Sequence, residues 1–180
     1  MKPKFVSRFP RSFEIERELY RYMHLTSPPI IACYILLGIV LVVNLVLCLA
    51  VGLIYANMAI FAMCGIALFV LFFRYFAAMK AGKARHTEDT NNKGEITVTA
   101  TLTDDELISE SSDREEPINV PLSQFKTVFA TKHYYMIQTD ERMVYVFKKD
   151  AFTVGKEEEF LPYVRQIIEK NKSRGRRLHR

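Results

Sequence analysis

Tryptophan is absent from this 180-residue chain, and only three residues are cysteine and seven glycine. Cys33, Cys48 and Cys64 stand at no zinc or redox spacing, which excludes a disulfide scaffold and a zinc finger. The glycines form neither G-x-G-x-x-G nor a P-loop, so no dinucleotide or nucleotide-phosphate cradle is encoded. His24, His86, His133 and His179 lack metal-ligand spacing, and G-x-S-x-G and H-E-x-x-H do not occur. Asp104-Asp105-Glu106 lacks the twelve-residue calcium loop. Glu157-Glu158-Glu159 suits the first turn of a helix, where the dipole favours carboxylates. The expectation is therefore no catalytic residue, no cofactor and no metal. The chain does not read as an enzyme.

The largest absence is charge. Leu25 to Phe73 contains no Asp, Glu, Lys, Arg or His. A mean hydropathy of +0.02 and a charged fraction of 25% describe an ordinary soluble protein only because the two kinds of residue are segregated. One bilayer crossing takes roughly 20 apolar residues. The run is twice that, so it predicts a two-helix transmembrane hairpin over 29–79, with spans near 31–54 and 58–79. Tyr55-Ala56-Asn57 is the expected turn, and Pro28-Pro29 marks the entry. Lys2, Lys4, Arg8, Arg11, Arg17 and Arg21 precede the spans; Arg74, Lys80, Lys83 and Arg85 follow them; the turn has no basic residue. The positive-inside rule then places both termini in the cytoplasm.

Within the spans, Asn44 is the one strongly polar side chain of the first helix and a candidate helix–helix contact. Cys48, Gly52 and Ala56 make a small-residue stripe on that helix. Ala59, Ala62 and Gly65 make another on the second, and the two stripes are expected to let the helices approach. Arg74 is expected to snorkel to the headgroups.

Outside the hairpin the periodicity changes. Lys4–Phe9 reads as a strand and Ser12–Met23 as a helix, together a cytoplasmic segment over 1–28. The polar run in 80–94 reads as a linker. Ile96–Leu102 alternates apolar residues with threonine, as a half-buried strand does. Leu107-Ile108, Ile118–Leu122 and Phe125–Thr131 predict further strands. His133–Thr139 and Met143–Phe147 predict a hairpin around Asp140-Glu141-Arg142. Ser109–Glu116 reads as a loop. Lys156–Lys172 predicts an amphipathic helix with Phe160, Leu161, Val164, Ile167 and Ile168 on one face. The expected fold is α+β: a hairpin of spans plus a small antiparallel β domain of five to seven strands over 95–172, closed by the C-terminal helix. A basic tail, 173–180, follows.

Two spans after a short basic-rich helix, then strands, then Val144-Tyr145-Val146-Phe147-Lys148-Lys149-Asp150-Ala151-Phe152 and a Glu-rich helix, resemble the bacterial YcxB-like family. Lys149 and Phe152 match that family's strand end, with Lys148 standing where it has a proline. The resemblance implies a PH-like C-terminal domain and a membrane location. It implies no catalytic residue.

Residues 86–169 carry nine basic and seventeen acidic groups, whereas 170–180 carry six basic and none acidic. The β domain is thus acidic although the whole chain has a net charge of +5. Anionic lipid would attract Lys170, Lys172, Arg174, Arg176, Arg177 and Arg180, and Lys148 and Lys149 are further candidate lipid or partner contacts with Arg74. The tail has no interleaved aromatics, which argues against nucleic acid. Tyr134, Tyr135 and Tyr145 are the aromatics from which an exposed contact surface would come. The leading expectation is a binding or regulatory module anchored in the cell membrane, whose partner is a protein, a peptide or an anionic headgroup. The alternative is a homo-oligomeric transport or pore-forming element, which would need more ionisable residues in the spans than Asn44 and Arg74 provide.

Overall fold

The computed structural model of the chain describes residues 2–178 except Leu53, and omits the side chains of Lys93 and of 174–178. It is an α+β structure that divides into two compact units, residues 16–86 and residues 1–15 with 87–180.

In the first unit, α1 (Phe13–Arg21) runs into a π-helical turn, Tyr22–Thr26. Ser27 then breaks into extended backbone, and α2 (Pro28–Val51) starts with its two prolines where their missing N–H groups are not needed. α2 has 24 residues, about 36 Å at 1.5 Å per residue. It stops at Gly52, whose φ of 90° ordinary side chains avoid, and whose N–H bonds Cys48 O at 2.9 Å. The first helix therefore stops at Gly52, before the expected Tyr55-Ala56-Asn57, where Tyr55 already opens the next helix.

α3 (Tyr55–Lys93) begins at once and has 39 residues. Both α2 and α3 are long and apolar enough to cross a membrane. The expected linker in 80–94 is helix as far as Lys93. Nothing between His86 and Lys93 is glycine or proline, and extending an existing helix carries no nucleation penalty. It ends where Gly94 N–H bonds Thr90 O at 2.9 Å.

In the second unit the strands are β1 (Phe5–Pro10), β2 (Thr97–Leu102), β3 (Glu106–Ser111), β4 (Ile118–Pro121), β5 (Phe125–Ala130), β6 (Tyr134–Thr139), β7 (Val144–Lys148) and β8 (Phe152–Val154). Seven of the eight, β2 to β8, lie within 95–172, in keeping with the expected five to seven, and β1 is the strand expected upstream of the hairpin. β8 has only three residues, too few for a period to show, and the expected loop from Ser109 is strand to Ser111. One sheet has the order β4-β3-β2-β1-β8 and the other β5-β6-β7, with every pairing antiparallel. β1 and β2 pair from Phe5↔Leu102 to Pro10↔Thr97 although residues 11–96 separate them in sequence.

Ser7 joins the sheets. It is fully buried on β1, donates to Lys148 O at 3.1 Å and accepts from Lys148 N at 3.0 Å on β7. The core gathers Phe5, Leu102, Leu107, Phe125, Ile137 and Phe147 against Phe160, Val164 and Ile168 of α4 (Glu157–Leu178). Phe147 and Phe160 centroids lie 4.6 Å apart and Phe5 meets Phe160 edge-on at 5.3 Å. Gly155, with φ 81°, turns the chain from β8 into α4. A Cβ there would collide with the Phe5 ring and Lys4 carbonyl.

Candidate functional site

The sheet's two ends differ. At one end the chain leaves β1 at Pro10 and re-enters β2 at Thr97, and the β5–β6 turn and the end of β7 lie at this same end, tied to it by Ser7–Lys148 and by Ser12 Oγ 3.5 Å from the Tyr134 hydroxyl. At the opposite end α4 crosses the β2–β3 turn and the segment after β4. Between them lies an open cleft of about 490 Å³, walled by Asp104, Asp105, Pro121, Leu122 and Ser123 on one side and Tyr163, Gln166, Ile167, Lys170 and Asn171 on the other.

Helical spacing puts those five α4 residues on one face, next to the face that enters the core. Asn171 fixes the wall by donating to Leu122 O at 2.7 Å and Phe125 O at 3.3 Å. Thr103 shapes the turn that carries the two aspartates. Its hydroxyl donates to Glu106 O at 2.9 Å and accepts from the N–H groups of Asp105 and Glu106. At the cleft's rim Lys4 Nζ lies 3.2 Å from Asp104 Oδ1 and 4.0 Å from the Tyr163 ring centroid. The Tyr163 hydroxyl donates to the same carboxylate oxygen at 3.3 Å. Burial holds the Tyr163 phenol above its ordinary range, with Lys4 pulling it back and Asp104 adding to the rise. Burial lowers Lys4, but its bonds to Asp104 and Tyr163 outweigh that and leave it raised. Asp104 is thus engaged, while Asp105 is exposed beside it.

This cleft can bind by shape, by Asp105 and by Lys170 at its far side. It brings together no nucleophile and base. No group of three or more His, Cys, Asp or Glu able to hold a metal occurs among the described residues.

The sequence-derived contacts fall in several places. Lys170 lines the cleft, and Lys172 is exposed beyond it. Arg180 and the side chains of Arg174, Arg176 and Arg177 lie outside the described residues. Lys149 is held within the domain, donating to Thr131 O at 2.7 Å with its ammonium 4.9 Å from the Tyr135 ring centroid. Lys148 is half-buried and its backbone is bonded by Ser7. The tyrosines do not form an exposed surface: Tyr134 and Tyr135 are buried and Tyr145 half-buried. β6 is the middle strand of its sheet, and both its faces are covered. Phe9 lies on Tyr134 at 6.3 Å, and Phe160 on Tyr135 at 5.3 Å.

In the helical unit, Asn44 is 2% exposed and donates to Asn57 O at 3.0 Å, while Asn57 Nδ2 donates to Gly52 O at 3.3 Å. Covered positions on α2 are Ile30, Tyr34, Leu37, Leu41, Asn44 and Cys48. On α3 they include Asn57, Phe61, Cys64, Leu68, Leu71 and Tyr75. Their alternate spacings of four and three are the seam of a coiled-coil-like pair. Tyr34 and Phe72 rings approach to 6.2 Å across it. Ala59, Ala62 and Gly65 are exposed instead of lining that seam, because the bond from Asn44 turns residue 57 and its heptad mates inward. Gly52 ends α2. Arg74 is exposed on α3.

The sequence did not single out Tyr163 or Asn171. Asp105 and Leu122 join them only through tertiary contacts, so no local spacing announces the cleft. No protein family, characterised protein or solved structure matches the chain.

Proposed function

We propose that the chain is a non-catalytic binding module anchored in the membrane by α2 and α3, with both termini in the cytoplasm, and that its β domain is PH-like and of the YcxB-like kind. The observation that carries this reading is the connection of the sheet. The paired strands β1 and β2 are the two chain ends of the apolar hairpin, so the domain is attached at two adjacent strands. The cleft under α4 is at the end away from those attachments and is free to receive a protein, peptide or anionic headgroup partner. Two antiparallel sheets closed by a C-terminal helix support the PH-like reading. Basic residues flank the apolar stretch and are absent from its turn, which supports the topology. The alternative conduit gains nothing from Asn44, whose amide is turned onto the hairpin's own backbone.

Two measurements test this. Carbonate extraction of membranes is expected to leave the full chain in the pellet; release into the supernatant would refute the anchor. A photo-crosslinking residue at exposed Gln166 in the cleft is expected to capture a partner that the same residue at Lys126 does not. Equal capture from both positions, or from neither, would remove the cleft from the proposal.

A further inference from the structure

The two walls of the cleft under α4 carry opposite charge. Asp104 and Asp105 stand on one wall and Lys170 on the other, and Leu122 and Ile167 line the cleft with half-buried apolar side chains. Asp104 is already engaged: Lys4 Nζ donates to it at 3.2 Å and the Tyr163 hydroxyl at 3.3 Å. Asp105 and Lys170 are exposed, and neither side chain has a hydrogen bond or an ion pair among the described residues. The backbone beneath them is fixed. Asp105 N–H bonds Thr103 Oγ1 at 3.3 Å, its carbonyl accepts from Leu122 N–H at 3.2 Å, and Asn171, next to Lys170, bonds Leu122 O at 2.7 Å. Walls already held in place lose little freedom when a ligand enters.

The signs of these charges select the ligand. A purely anionic ligand would meet two carboxylates. A purely cationic one would meet Lys170 and, at the rim, Lys4. Like charges brought together weaken binding and exclude the wrong partner. A ligand that carries both signs meets an opposite charge on each wall. The volume of about 490 Å³ is that of an ordinary ligand site. The cleft is open, so a chain can enter and leave it, as a segment of a larger partner must. We propose that the cleft binds a peptide segment of a partner protein, one that offers a basic side chain to Asp105, an acidic side chain to Lys170 and an apolar side chain to Leu122 and Ile167. The inference names the partner of the binding module and rests on that reading.

The probe is a phage-displayed library of random heptapeptides, panned on the full chain in phosphatidylcholine nanodiscs. Enriched peptides are expected to contain both a Lys or Arg and an Asp or Glu. For the synthetic peptide that binds best, Asp105→Asn and Lys170→Gln should each weaken binding about threefold, as loss of one exposed ion pair does. Asp105→Lys and Lys170→Glu should each weaken it further. Glu169→Gln and Lys172→Gln, exposed on α4 outside the cleft, should change nothing. Tighter binding by Lys170→Glu would assign a purely basic partner, and tighter binding by Asp105→Lys a purely acidic one; either overturns the proposal. So would peptides that bind every variant alike, or no enrichment at all. Displacement of the peptide by glycerophosphoethanolamine would overturn the peptide segment in favour of a zwitterionic lipid headgroup. Photo-crosslinking from Gln166 separates this inference from the reading beneath it. Without selective capture the cleft itself falls. Selective capture whose yield Asp105→Lys and Lys170→Glu leave unchanged overturns only the segment of two charges.

Discussion

Ser7 shows how much one small side chain can hold. Its hydroxyl serves a backbone N–H and a backbone carbonyl of the other sheet, both at Lys148, and no water reaches it. Ser7→Ala leaves two buried groups unsatisfied, at roughly 1–3 kcal/mol for each such group. The denaturation midpoint of the full chain in detergent should fall accordingly; an unchanged midpoint would mean that the sheets are joined by packing alone. The phenols give a pH dependence. Burial raises Tyr163, Tyr135 and Tyr145 above the ordinary value of 10.0. A folded-state value above the unfolded one means that the native chain holds its protons more tightly. The associated stability is complete below pH 10 and is lost as pH rises through the folded values. Tyr163→Phe should therefore lessen the loss of stability on going to strongly alkaline pH, measured by chemical denaturation across that range. An alkaline slope identical to that of the wild-type chain would contradict the assignment. The cleft was hidden from the sequence at this scale. Asp104, Leu122, Tyr163 and Asn171 become neighbours only after the sheet and α4 have packed.

Elements with a long, clean period were legible. The threonine alternation of β2 and the apolar face of α4 were readable because burial on one side imposes periods of two and 3.6. β6 was legible as a strand, but not the burial of its tyrosines: with both faces covered, alternation no longer sorts exposed from buried. The segment from His86 was misread because polarity was taken for irregularity, whereas a helix already under way needs only residues that do not stop it. Its amides give a direct check. In hydrogen exchange, residues 90–93 should show protection, since their N–H groups bond within α3; exchange at the rate of an unstructured peptide would restore the linker. The β6–β7 hairpin offers a second test. Arg142 takes φ 63° after Asp140-Glu141, a left-handed position that glycine occupies more readily. Arg142→Gly should stabilise the chain by up to about 1 kcal/mol, since the left-handed conformation burdens other residues by 1–2 kcal/mol and glycine's freer unfolded state returns part of the gain. A lower melting temperature would show that the arginine side chain contributes more than its backbone takes away.

At the scale of the whole molecule, the strand order makes the apolar hairpin an insertion into a sheet. β1 lies between β2 and β8, so it is interior to its sheet although it comes first in sequence. Its Phe5 is in the core and its Ser7 bridges to β7. A fragment of residues 95–180 keeps every other strand and α4, yet loses an interior strand of the larger sheet and exposes two strand edges, of β2 and β8, where β1 was. It should be insoluble or lack a cooperative transition. The register states the repair. Pro10 opposes Thr97, and Arg11 N–H bonds Ile96 O at 2.7 Å, so the two strands already face each other where a hairpin turn would close them. Replacing residues 12–95 by Asn-Gly, the pair suited to a two-residue β-turn, should give a soluble, cooperatively folding domain that retains the cleft. Its backbone amides in β1 and β2 should be among the slowest to exchange. If 95–180 folds alone as well as the joined domain does, β1 is an accessory to the sheet, and the two-strand attachment on which the anchored-module reading depends is lost. If only the joined domain folds, the hairpin and the domain are bound by topology: no cut outside residues 11–96 can separate them without dismantling the sheet.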